Sequence, residues 1–200
     1  MGITFDNERQ QFVFDFEHDG QGDIVRLTGD GYQVEAFGKC FYYGYEFADD
    51  VDGSVRSAFI KYVKFSEPLQ AHPDLTDFIK KAVDNLSRKI NLYDYNLVVM
   101  PESSSRVNQY MLRYIYRFAQ PSLCKMQFIK YLSTNISLGK PKDESLCSKI
   151  RNQNVLVIDD VATSGSTLGE ILRTLRILNE DNKITIFSLI GRKDLMADAQ

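Results

Sequence analysis

The chain has 200 residues, 44% apolar and 26% charged, an ordinary globular composition with length enough for one sizeable core. Lys and Arg number 24 against 27 Asp and Glu, a formal charge of −3, without the basic excess of a dedicated nucleic-acid binder. No apolar run approaches the roughly 18 residues of a membrane span, the first residues lack a signal-peptide pattern, and the three cysteines include no CxxC pair. Neither a membrane nor a nucleic-acid partner is expected, and the cysteine usage fits a reducing, cytoplasmic setting rather than a disulfide scaffold.

Taken in chain order, the first third is β-rich. Gln11 to Glu17 alternates apolar and polar residues as a half-buried strand does. A turn over His18 to Asp23 follows, then short strands at Ile24 to Leu27 and Tyr32 to Phe37, and an aromatic strand at Cys40 to Tyr45. Ser54 to Phe65 has near-helical spacing. Ser66-Glu67-Pro68 and His72-Pro73 punctuate the chain, so 1–70 is expected as a β-rich lobe and 71–200 as a separate α/β core.

From there helix and strand alternate. Asp74 to Asn91 is a helix with Leu75, Phe78, Ile79, Ala82, Val83, Leu86 and Ile90 on one face. Asn96 to Met100 is a buried strand, Ser105 to Gln120 a helix, Met126 to Leu132 a weaker strand, and Asn154 to Ile158 a strong one. Thr167 to Leu178 is a helix and Lys183 to Ile190 the last strand. The alternation predicts βαβ crossovers and a parallel sheet.

The chemistry sits in Val155-Leu156-Val157-Ile158-Asp159-Asp160-Val161-Ala162-Thr163-Ser164-Gly165-Ser166-Thr167. A buried strand runs into two adjacent carboxylates, then a loop of small and hydroxyl residues, then a helix start. Ligands of open α/β sheets bind beyond the carboxyl ends of the strands. A helix start attracts phosphate, and Gly165 permits close backbone approach. Carboxylates beside a phosphate cradle suit a ligand that also presents sugar hydroxyls or Mg²⁺. The alternatives are a solvated strand end for the acids and an ordinary helix cap for the loop.

This stretch resembles the phosphoribosyl-pyrophosphate (PRPP) motif of type I phosphoribosyltransferases. The resemblance implies a Rossmann-like parallel sheet with an N-terminal β-rich lobe or hood. It implies an Mg²⁺-dependent enzyme that moves ribose 5-phosphate between PRPP and a nitrogenous base, acting as a homodimer. Asp159 and Asp160 would hold the ribose hydroxyls, with Mg²⁺ carried by PRPP near them. Thr163, Ser164, Gly165, Ser166 and Thr167 would wrap the 5′-phosphate. Upstream, Met100-Pro101-Glu102 leads into Ser103, Ser104, Ser105 and Arg106, which match the family's pyrophosphate loop; a serine-rich helix cap is the alternative. Threonine at 163, where 6-oxopurine enzymes carry aspartate, argues against hypoxanthine or guanine.

Pro101, Arg106, Asn108-Gln109 and Tyr43-Gly44 followed by Val55 to Lys64 resemble the competence-associated (ComF-like) branch. By the same resemblance Leu132 to Asn152 would be a closing loop, with Lys140 or Lys142 reaching the pyrophosphate; a solvated loop is the alternative. Phe41, Tyr42, Tyr43 and Tyr45 stack on a base or pack in the core. Tyr110, Tyr114 and Tyr116 with Arg113 and Arg117 touch nucleic acid or form a dimer face or a solvated helix side. A non-catalytic PRPP or nucleotide sensor is the alternative to an enzyme.

Overall fold

The two apolar runs with no polar alternation, Leu97–Met100 and Val155–Ile158, can be buried on both faces only at the centre of a parallel sheet. In the computed structural model they lie side by side there, as β6 (Leu97–Pro101) and β9 (Asn154–Ala162). The structure describes residues 2–18, 20–29, 32–36, 39–48, 51–65, 73–101, 105–119, 121–130, 137–141, 153–162, 166–178 and 183–191.

Among the described residues ten strands form one sheet. The N-terminal strands are β1 (Gly2–Asp6), β2 (Gln11–His18), β3 (Gln21–Thr28), β4 (Tyr32–Ala36) and β5 (Lys39–Phe47). The others are β7 (Ser122–Lys130), β8 (Ser137–Pro141) and β10 (Lys183–Gly191). The order is β1-β2-β3-β5-β10-β9-β6-β7-β8, with β4 also on β5. The five strands from β5 to β7 are mutually parallel, and β1–β3 extend the sheet as an antiparallel wing. The expected α/β class with N-terminal β structure is what the chain forms. The boundary expected at 66–73 falls outside the described residues except for Pro73.

Helices α1 (Gly53–Phe65), α2 (Pro73–Lys89) and α3 (Val107–Ile115) cover one face, and α4 (Ser166–Leu178) covers the other. The first face is lined by aromatic rings. Tyr45 stacks on Phe78 at 3.9 Å and its hydroxyl donates to the Phe78 carbonyl at 2.8 Å. Phe14 meets Phe59 and Phe78 edge-on. Phe41, Tyr42, Tyr43 and Tyr45 are all buried in the core.

Two strands differ from the sequence expectation. β1 is too short to display a period and becomes a strand only by pairing with β2. Residues 137–141, expected as part of a closing loop, form edge strand β8 antiparallel to β7, with Gln127 opposite Lys140. Gly139 and Pro141 suggest a turn, but an edge strand tolerates both. Lys142 and the rest of that loop lie outside the described residues.

The parallel ladders share one interruption. β5 and β10 pair through Tyr43↔Ser188 and resume at Tyr45↔Ile190. β10 and β9 pair through Ser188↔Asp159 and resume at Ile190↔Val161. The skipped residues, Gly44, Leu189 and Asp160, form a single row across three strands. Side-chain phase slips there. Phe41 and Tyr43 face α4, whereas Tyr45 and Phe47 face α1–α3; Ile158 and Val161 both face α1–α3. A slip frees backbone groups from the ladder, and these need other partners. The Ser188 hydroxyl donates to the Ile190 carbonyl at 3.0 Å. On β9 the two carboxylates take this role.

Gly44 lets α2 settle on this row. A Cβ at position 44 would lie 2.7 Å from the Ala82 Cβ and 2.9 Å from the Leu189 carbonyl oxygen. Since the oxygen is backbone, it cannot swing away. Gly44→Val is expected to lower unfolding free energy by about 1–3 kcal/mol or more, as overpacking does, read as an earlier urea midpoint.

Candidate functional site

Strand order reverses at β6, which has the next parallel strand in sequence, β7, on one side and β9 on the other. That makes the β6–β9 boundary the topological switch point, where open α/β sheets leave a crevice beyond the carboxyl ends. Pairing between the two strands runs from Leu97↔Val155 to Val99↔Val157. Both strands continue past it, β6 through Met100 and Pro101 and β9 through Ile158 and the acid pair. The chain leaves β6 toward α3 and leaves β9 toward α4, which brings two helix N-termini to this edge.

Asp159 and Asp160 lie at this place, inside β9 rather than at its end. The strand runs four residues further than expected, from Ile158 to Ala162. The acids are only 6% and 1% exposed, which excludes a solvated strand end. Each carboxylate captures the amide that follows it. Asp159 Oδ1 accepts from the Asp160 N–H at 2.9 Å, and Asp160 Oδ1 accepts from the Val161 N–H at 2.7 Å. Lys64, in the last turn of α1, places Nζ 3.2 Å from Asp160 Oδ1. Asp160 Oδ2 is buried without a hydrogen-bond partner.

Burial first, and the neighbouring Asp160 charge second, push the Asp159 carboxyl up from 3.8 to about 7. The Asp160 amide, Lys64 and Asn108 act the other way and do not overcome them. Asn108, the second residue of α3, is 1% exposed. It comes near enough to Asp159 to favour its charged form, yet neither its Nδ2 nor its Oδ1 completes a hydrogen bond of ordinary geometry.

The β6 side supplies Ser105, which is buried, and Arg106, which is exposed. The residue capping α3 is Arg106, and its side chain makes no cap hydrogen bond, so no serine caps this helix. A cation at a positive helix end is unfavourable unless an anion joins it. Neither α3 nor α4 carries an acidic residue in its first turn. Ser103, Ser104, Thr163, Ser164 and Gly165 lie outside the described residues; Ser166 and Thr167 begin α4. Lys64 and Asn108 are the residues that sequence reasoning did not assign to the site. Lys64 ends an amphipathic helix far away in sequence, and no local signal marks it.

Arg113 lies over the Tyr110 ring in α3 and Arg117, just past its end, over the Tyr114 ring, and Tyr114 is buried. Among the described residues no group of three or more His, Cys, Asp or Glu could hold a metal ion, and no helix is long and apolar enough to cross a membrane.

No family model and no curated protein matches the chain. Solved structures similar to it include a hypoxanthine phosphoribosyltransferase from Staphylococcus aureus, 17% identical, covering 68% of this chain and 72% of its own, with a TM-score of 0.46. A purine phosphoribosyltransferase from Pyrococcus horikoshii is 13% identical, covering 58% of this chain and 83% of its own, with a TM-score of 0.44. A hypothetical protein from Neisseria gonorrhoeae with bound ppGpp is 18% identical, covering 60% of this chain and 68% of its own, with a TM-score of 0.43. Likeness of this degree says nothing about substrate; the crevice itself has to.

The electrostatics give two expectations. A carboxyl whose pKa is higher in the fold than in the unfolded chain is held protonated by the fold between about pH 4 and pH 7. Its contribution to stability is present at low pH and lost as pH rises through that window. Asp159→Asn should therefore gain melting temperature relative to the unaltered protein as pH is raised from 5 to 8, compared by paired thermal melts. Lys64→Met strands the Asp160 charge and should cost about 1–3 kcal/mol at pH 8. That is less than for a fully buried pair, because Lys64 is 36% exposed; denaturant titration measures it.

Proposed function

We propose that the chain is a phosphoribosyltransferase that binds PRPP at the β6–β9 crevice and transfers its ribose 5-phosphate group to a nitrogenous base. One observation carries this reading: a buried acid pair at the switch point, between two helix N-termini that lack acidic first turns. The combination suits a ligand with hydroxyls at its centre and phosphates at both ends.

In this reading, Asp159 and Asp160 accept hydrogen bonds from the ribose hydroxyls and fix the ring; they orient and do not transfer protons. Thr163, Ser164, Gly165, Ser166 and Thr167 take the 5′-phosphate through amides and hydroxyls at the start of α4. Ser103, Ser104, Ser105 and Arg106 take the pyrophosphate at the start of α3. A base nitrogen attacks C1 as the bond to pyrophosphate breaks. The leaving group departs with the electron pair, and the nitrogen sheds its proton to solvent. Charge grows on the leaving group, so fixed donors and Arg106 near it are the main catalytic element.

The orphaned Asp160 Oδ2 and the Asp159 carboxyl offer hard oxygen donors, which fit Mg²⁺. Bound with PRPP, that cation would neutralise charge on the pyrophosphate. The protein would work in the cytoplasm as a homodimer, with PRPP and a base as its partners, and the branch it resembles is the ComF-like one. Threonine at 163 favours an acceptor other than a 6-oxopurine.

A second reading is a non-catalytic PRPP or nucleotide sensor. It draws on Lys64, which already neutralises Asp160, and on the single arginine of the Ser103–Arg106 loop. PRPP with Mg²⁺ should raise the melting temperature, and Asp159→Asn combined with Asp160→Asn should abolish the rise. Pyrophosphate release with any base of a panel establishes the enzyme. Binding without release across the panel favours the sensor, and no PRPP response removes both.

A further inference from the structure

Asn108 occupies a position where an apolar residue would be expected. It follows Val107 in the first turn of α3, and Val107, Met111, Leu112 and Ile115 all enter the core. A buried primary amide without hydrogen bonds is costly, and such groups in a folded protein call for an explanation. Neither Nδ2 nor Oδ1 of Asn108 completes a hydrogen bond of ordinary geometry, although the side chain comes close to the Asp159 carboxylate. On β9, Asp160 Oδ2 is likewise buried and without a partner. The two groups come from the two strands that flank the switch point, β9 directly and β6 through the helix that follows it. A hydroxyl group donates one hydrogen bond and accepts others, so adjacent hydroxyls complement an amide facing a carboxylate.

We propose that Asn108 is a ligand-contacting residue, whose amide binds the hydroxyl-bearing part of the ligand held by Asp159 and Asp160. The inference rests on the PRPP reading, in which that part is the ribose 2′,3′-diol. Asn108 remains in the folded protein at a cost to stability because the bound ligand satisfies it.

The test uses the full chain, thermal melts with and without PRPP and Mg²⁺, and two variants. Asn108→Leu removes the orphaned polar atoms at similar volume. Its ligand-free melting temperature should equal or exceed that of the unaltered protein, and its PRPP affinity should fall roughly tenfold or more, the loss of one to two hydrogen bonds. A role confined to holding α3 in place would instead lower the ligand-free melting temperature and leave the PRPP shift intact; that result overturns the proposal. Should Asn108→Leu fail to fold, Asn108→Ser decides: a weakened PRPP response supports the contact, and an unchanged one overturns it. If the unaltered protein does not respond to PRPP, the PRPP reading fails and this inference with it. If it responds and both variants respond equally, only the assignment of Asn108 fails.

Discussion

The site depends on one backbone event, the interruption that runs through Gly44, Leu189 and Asp160. A regular parallel ladder would point the two acids to opposite faces and leave their own amides in the ladder. At the slip the Asp160 and Val161 amides donate to the Asp159 and Asp160 carboxylates inside a buried strand. Adjacent carboxylates are well suited to accept them, since an ionised carboxylate has several acceptor sites and no donor. The pair therefore has a structural task, since each acid holds the backbone amide that follows it.

Placing two carboxylates side by side in a low-dielectric interior is unfavourable, and the raised Asp159 carboxyl records it. Lys64 offsets part of the repulsion from α1, and its ammonium meets the same Asp160 Oδ1 that accepts from the Val161 amide. What is left over is concentrated in a few buried atoms, Asp160 Oδ2 and the Asn108 amide, which complete no hydrogen bond of ordinary geometry. Sites that bind polar ligands commonly keep such incompletely satisfied groups, because a group already fully bonded has nothing to offer a ligand.

The N-terminal segment contributes to this arrangement as scaffold and as chemistry. β5 lies within the parallel part of the sheet beside β10, and its Gly44 belongs to the interrupted row. The rings of Phe14, Phe16 and Phe47 meet Phe59 and fix α1 over the sheet, which in turn sets where Lys64 ends up. Aromatic packing at the middle of the helix thus positions a charge in its last turn.

The amino-acid sequence by itself determined most of the element types and where along the chain the acid pair falls. The unbroken apolar runs of β6 and β9, the period of α2, and the acid pair followed by a hydroxyl-rich helix start are local patterns, and local patterns need only neighbours in the chain. Tertiary structure decided what depends on distant partners. β1 and β8 are strands only because β2 and β7 pair with them. The acids lie inside β9, not at its end, because the slip is shared with β5 and β10, whose residues are far away in the chain. Lys64 and Asn108 join the acid pair through helix packing and sheet order, and neither leaves a periodic or spacing signal in the sequence.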